Sequence, residues 1–199
     1  MTTLFTVAMT GDQETPPNAS QASGSGVVLW DPEANTATYE IVVRGLDFAP
    51  VRGLPADTAA TADDVTNMHV HTAPPGVAGP VIFGQIAPAH DDDDLHIVQL
   101  ETMDAKPVGD GTWIVSGAWD PGDPAVIPIT AFADALSAAA SGQDVALYFN
   151  VHTTTFPAGE IRGQWVGAEP GLTDGSVDWD TIAAVVQANH DLTGQWFLP

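Results

Sequence analysis

His69 and His71 flank Val70, and in an extended chain the period of two sends both imidazoles to one side of the strand. Met68 and Val70 then point to the other side, where a half-buried strand meets the core. A second run, Leu147-Tyr-Phe-Asn-Val-His152, puts Leu147, Phe149 and Val151 on an apolar face and His152 opposite them. If these two strands approach each other, three neutral imidazoles converge outside the core, a ligand set that suits copper or zinc. The expectation is therefore a surface site for one transition-metal ion, held by His69, His71 and His152. An HxH pair alone carries little weight, because strands often expose histidines; the third ring strengthens the case. In Glu160-Ile-Arg-Gly-Gln-Trp165, Ile161 and Trp165 take the apolar face and Arg162 the outer one. Beside a cationic site this guanidinium would hold small anions, which makes Arg162 the candidate catalytic residue. Its plainer use is an ion pair with Glu160 or another acid.

Other chemistry finds less support. The run His90-Asp-Asp-Asp-Asp-Leu-His96 collects cation-ligand types but lacks the spacing and turn glycine of an EF-hand loop. Calcium is the weaker reading there and a solvated acidic loop the stronger. No serine stands in a nucleophile-elbow context, and no two carboxylates are singled out as a hydrolytic pair.

Charge narrows the partners. Of the 199 residues 26 are acidic and four are Lys or Arg, giving a formal charge of −22. A field of that sign repels phosphate backbones and anionic lipid, so nucleic-acid binding is excluded. Cysteine is absent, which removes disulfides and thiolate metal sites. No apolar run approaches membrane-spanning length. The first residues, Met1 to Met9, lack the charged region and cleavage site of a secretory signal and alternate like a first strand.

The elements that must position these residues are short. Sixteen Pro and 19 Gly are scattered along the chain, punctuating apolar runs as in many-stranded β proteins. Alternation predicts strands at Phe5 to Met9, Gly26 to Trp30, Ala37 to Val43, Asn67 to His71, Pro80 to Ile86, Leu95 to Glu101, Thr112 to Trp119, Val145 to Val151 and Glu160 to Val166. A long surface loop is expected from Ala49 to Thr66, and one helix near Thr130 to Ala140, capped by Thr130 and stopped by Gly142. The fold class is thus all-β, an antiparallel Greek-key sandwich or barrel over residues 3–167 with one short helix. A linker over 168–177 leads to a short helical, apolar tail at 178–199, with Trp179, Ile182, Val185 and Val186 near one face and Trp196-Phe197 beyond. Such a tail should pack on the barrel or on a neighbouring chain.

Phe5-Thr-Val-Ala-Met-Thr-Gly-Asp-Gln-Glu-Thr-Pro-Pro17, Met68-His-Val-His71 with Gly79-Pro-Val81, Gly111-Thr-Trp113, and Asn150-Val-His-Thr153 followed by Phe156-Pro-Ala-Gly-Glu-Ile-Arg-Gly-Gln164 together resemble the CHRD (chordin-repeat) domain signature, in its order. The resemblance implies an extracellular or cell-surface β-sandwich, often one module of a larger protein; a periplasmic setting is also compatible. The insertion at Ala49 to Thr66 and the tail after Gly167 depart from the pattern. More distantly, the chain resembles copper/zinc superoxide dismutase, a Greek-key barrel. That likeness implies copper-ligand positions for His69, His71 and His152 and, more loosely, an anion-guiding one for Arg162. The dismutase disulfide is missing, and Thr72 to Gly79 holds no bridging histidine, so a copper-only site is what would remain, with His90 or His96 as spare imidazoles. Two functions stay open: a metal-binding module with dismutase-like redox activity, or a non-catalytic module that meets a protein partner through its acidic face or its tail.

Overall fold

Alternating apolar residues, interrupted by Gly, Pro and Asp, produce nine short strands in the computed structural model, which describes residues 1–87, 90–100 and 112–168. They are β1 (Thr3–Thr10), β2 (Ser23–Asp31), β3 (Thr36–Arg44), β4 (Val65–His71), β5 (Val81–Ile86), β6 (His96–Gln99), β7 (Thr112–Trp119), β8 (Asp144–Thr153) and β9 (Ile161–Ala168). All pair antiparallel in one sheet of order β5-β4-β8-β9-β1-β2-β3-β7-β6. The consecutive strands β1–β2, β2–β3, β4–β5, β6–β7 and β8–β9 pair as hairpins, whereas β1 with β9, β3 with β7 and β4 with β8 pair across other strands in the sequence, so longer connections must cross between them.

The sheet rolls into a half-barrel, because one face of every strand is apolar and a single twisted sheet can bury that face only against itself. Tyr39 of β3 meets Phe149 of β8 with ring centroids 5.4 Å apart, and Phe83 of β5 stacks on Trp119 of β7 at 4.9 Å. Phe5, Val7, Tyr39, Ile41, Met68, Val70, Phe149, Val151 and Ile161 are all buried in this core, as the alternation predicts. At the seam, the backbone N–H groups of Asp91 and Asp92 donate to the Gly84 carbonyl, and the Asp91 carboxylate accepts from Gly84 N–H at 3.1 Å. These bonds satisfy part of the exposed edge of β5.

Two local expectations need correction. The stretch from Ala49 to Thr66 is not all surface loop: Ala49 is buried, Pro50–Arg52 forms a 3-10 turn, and Val65 and Thr66 already belong to β4. The buried Asp47 carboxylate organises it by accepting from the N–H groups of Ala49 and Asp57 at 2.8 and 2.6 Å. The helix also starts earlier, as a 3-10 turn at Ile129–Phe132 followed by α1 (Ala133–Ala138), with no side-chain cap from Thr130. Pro128 sets the N-terminal boundary with its fixed φ of −66°, and Ile129 is drawn fully into the core. Gly142, at φ 76°, lies in the turn beyond α1, which ends at Ala138 with Ala139 as its extended C-cap. The linker at 169–177 and the helical tail at 178–199 lie outside the described residues.

Candidate metal centre

Cross-strand register brings the three histidines together. In the β4–β8 ladder Asn67 faces His152, His69 faces Asn150 and His71 faces Tyr148, so all six side chains stand on the outer face of one strand pair. One ring nitrogen from each of His69, His71 and His152 lies within 4.8 Å of the other two. Two nitrogens held ~2.1 Å from one ion can be at most about 4.2 Å apart, so at most small ring movements would seat a common ion. Among the described residues no other group of His, Asp or Glu is gathered in this way.

Hydrogen bonds sort the six ring nitrogens into two sets. His69 Nε2 lies 3.2 Å from the Ala87 carbonyl, His71 Nδ1 2.9 Å from that of Gly79, and His152 Nδ1 3.2 Å from that of Pro157. A carbonyl only accepts, so each of these nitrogens carries the proton and its ring partner presents a lone pair. Those partners, His69 Nδ1, His71 Nε2 and His152 Nε2, are buried and have no hydrogen-bond partner. A buried acceptor left unpaired is costly, and three in one place, each ring tethered from behind by a backbone carbonyl, form a group that could hold a metal ion.

Burial corrects the expectation of a surface site. His69, His71 and His152 are each at most 9% exposed. The outer face of the sheet is covered here by the turns that follow β1, β4 and β8. Burial first, with His152 and His71 adding repulsion, pushes the His69 pKa down to about 4. Burial lowers His71 and His152 as well. All three rings are therefore neutral at neutral pH, the form a metal ion needs.

Arg162 also points outward from its strand, yet it is only 2% exposed. Its Nη1 donates to the Val77 carbonyl at 2.8 Å and Thr15 Oγ1 at 3.4 Å, and its Nη2 to the Pro74 carbonyl at 3.0 Å and Gln164 Oε1 at 3.1 Å. The guanidinium lies 3.5 Å above the Tyr148 ring, and that ring stacks on His71 with centroids 5.0 Å apart. Glu160, the ion-pair partner suggested by sequence, instead accepts from Ser20 and Thr153. Arg162 thus ties the turn after β4 to the sheet and braces the His71 ring through Tyr148. It also lines a surface cleft of about 210 Å³ together with Glu14, Thr15, Pro75, Gly76 and Gln164.

Several neighbours escaped the sequence reading. Tyr148 and Asn150 alternate with Leu147, Phe149 and Val151, so the spacing that placed His152 outside the core placed them there too. Tyr148 Oη accepts from Gly79 N–H at 3.0 Å, fixing the residue whose carbonyl holds His71. Asn150 donates to Glu14 at 2.9 Å, and burial raises the Glu14 carboxyl to about 7. Glu14 sits in a turn, where no periodicity announces it. Gly159, at φ 130°, closes the group: a Cβ there would lie 2.6 Å from Glu14 Oε1 and 2.7 Å from Asn150 Oδ1, so only glycine fits.

Within the run from His90 to His96, His90, Asp93, Asp94 and His96 are exposed, as a solvated acidic loop would have them, and Asp92 alone turns inward. Asp92 is buried and accepts a hydrogen bond from Tyr39 Oη, and its other oxygen caps Asp94 N–H at 2.9 Å. Burial lifts its carboxyl to about 7. Its oxygens serve the fold, and the calcium reading gains no further support from this arrangement.

The family model of the CHRD domain matches residues 5–165 of the chain. No curated protein and no solved structure matches it.

Proposed function

This chain belongs to the CHRD domain family, an extracellular-type family, and on that premise we propose that it is a module binding one copper or zinc ion through His69, His71 and His152. The observation that carries the reading is the trio of buried, unpartnered ring nitrogens, each backed by a carbonyl bond from the same ring. No helix among the described residues is long and apolar enough to cross a membrane.

Imidazole suits both metals, and three neutral nitrogens leave an open position for a small ligand. Bound copper would supply one-electron chemistry, and superoxide is the small anion for which the distant dismutase likeness argues. What this chain's residues do is hold geometry. Ala87, Gly79 and Pro157 fix the ring tautomers, Tyr148 stacks on His71, and Arg162 keeps a positive charge beside the cleft while spending four N–H bonds on neutral acceptors. Steering of an anion by Arg162 would therefore act through its field rather than through direct contact.

Elemental analysis and calorimetric titration of the purified chain test the reading. One equivalent of copper or zinc is expected, lost in His71→Ala and in His152→Ala and kept in a variant of His190, which is no member of the three-histidine set. Uptake below a tenth of an equivalent under metal excess would leave a non-catalytic interaction module as the better account. Superoxide loss measured on the copper-loaded chain against Arg162→Ala separates redox use from binding alone.

A further inference from the structure

Where the end of β5 comes near the edge strand β6, the half-barrel holds a cavity of about 390 Å³. Val51, Ile86, Leu95 and Ile97 supply its apolar wall, and Thr66 and His90 its polar members. Ile86 belongs to the hydrophobic core, and Val51, Leu95 and Ile97 pack against that core while staying only half-buried. The cavity is therefore a place where the core is reached from outside, of a volume that small-molecule sites use. An apolar group seated there would take four aliphatic side chains out of water.

The rim has a different chemistry, and its groups accept rather than donate. His90 Nδ1 lies 2.7 Å from the Gln85 carbonyl, so it carries a proton and Nε2 presents a lone pair. Thr66 donates its hydroxyl proton to the His152 carbonyl at 3.3 Å. Between His90 and Leu95, both part of the cavity lining, the chain runs through four aspartates, Asp91 to Asp94. Asp91 and Asp92 are used within the fold, by Gly84 N–H and by Tyr39 Oη with Asp94 N–H. Asp93 and Asp94 are exposed beside the rim. Arg52, next to Val51 in the chain, is exposed too, and a formal charge of −22 outweighs it. A cleft with walls of low polarity concentrates such a field at its mouth.

We propose that this cavity binds a small organic ammonium. A ring or short alkyl arm lies against Ile86, Leu95 and Ile97, while a primary ammonium at the rim donates to His90 Nε2 and faces Asp93 and Asp94. A neutral alcohol of the same shape leaves the field unused, and a carboxylate brings charge of the wrong sign to groups that only accept. The proposal stands apart from the metal reading, since none of His69, His71 and His152 lines the cavity.

The probe is phenylethylamine, an ammonium ion at neutral pH, titrated into the full-length chain with carbon-13-labelled methyl groups. Phenylethanol and phenylpropionate serve as the neutral and anionic counterparts. The amine should shift the Ile86, Leu95 and Ile97 methyl signals saturably, with a dissociation constant on the order of 1 mM. The alcohol should bind about fivefold more weakly, the upper end for one exposed ion pair, and the carboxylate not at all. Asp93→Asn combined with Asp94→Asn leaves the apolar wall intact and should bring the amine to the level of the alcohol. Ile97→Trp should fill the cavity and abolish both; if that variant fails to fold, the asparagine pair still decides. The proposal is overturned by an amine that gives no saturable shift, by an alcohol that binds as tightly, or by an amine preference unchanged in the asparagine pair. Shifts spread over methyl groups remote from the cavity would overturn it too, because they would mean attraction to the acidic surface alone.

Discussion

The outer face of the half-barrel has two halves, and they bury polar atoms in opposite ways. Over β4, β8 and β9 a dense network joins the turns to the sheet: Arg162 makes four hydrogen bonds, Gln164 donates to the Ala73 and Val145 carbonyls, and Glu14 accepts from Asn150. Besides Asn150 Oδ1, the three ring nitrogens are the side-chain acceptors left without a partner on the outer face of these strands. Over β2, β3 and β7 a single carboxyl and a single hydroxyl lie unpartnered among valines and isoleucine. Three orphan acceptors side by side are atoms that one common ligand could satisfy; an orphan acid among apolar side chains is a group that burial keeps from ionising.

The largest effect expected of this difference is on metal uptake. His71→Ala or His152→Ala should reduce it from one equivalent to near zero, while Glu40→Leu on the other half should leave it unchanged. Titration calorimetry on the three variants decides whether the two halves are chemically separate, and parallel losses would break the distinction.

Next in size is the loss of Arg162. Truncation to Ala leaves the Pro74 and Val77 carbonyls and Gln164 Oε1 without their donor, and should cost about 3 kcal/mol, by the penalty for breaking a buried charged network. Denaturant unfolding of the metal-free protein measures it. A change below about 1 kcal/mol would mean that the turn after β4 is held by other contacts.

Glu40→Leu should act in the reverse direction. Glu40 has its folded pKa raised to about 7 from 4.5. Its ionisation is therefore opposed by folding, and stability falls as pH rises from about 4.5 to about 7. Replacing it should stabilise the protein by on the order of 2 kcal/mol at pH 8 through this ionisation, and less as pH falls towards 4. Equal effects at pH 4 and pH 8 would show that the carboxyl is not the source.

The smallest effect, and the one that sharpens the contrast, is proton release on metal binding. His69, His71 and His152 have folded pKa values below 6.5, His69 near 4. Protonation favours the unfolded chain, so their contribution to stability is complete above about 6.5 and is lost as pH falls towards 4. Because the folded rings are already neutral at pH 7, ion uptake there should release well under one proton. Calorimetry in buffers of different ionisation enthalpy measures the number; two or more protons would mean rings that are charged before they bind.

The sequence by itself determined the nine strands, the buried residues and the three-histidine candidate, because period-two alternation sorts a strand into faces whatever lies around it. Met68 against His69, and Phe149 against Asn150, are separated in this way with no knowledge of the partner strands. Tyr148 and Asn150 were legible by the same rule. Only the tertiary structure decided that β4 lies beside β8 in the register that joins His69, His71 and His152, since pairing across about 80 residues depends on the whole sheet order. It alone decided that the outward face is buried: facing away from the core is a property of one strand, whereas shielding from water belongs to the turns that fold over it. The fate of Arg162 follows from the same cause, because its acceptors are backbone carbonyls of a turn between β4 and β5, and no residue type encodes where a carbonyl will point.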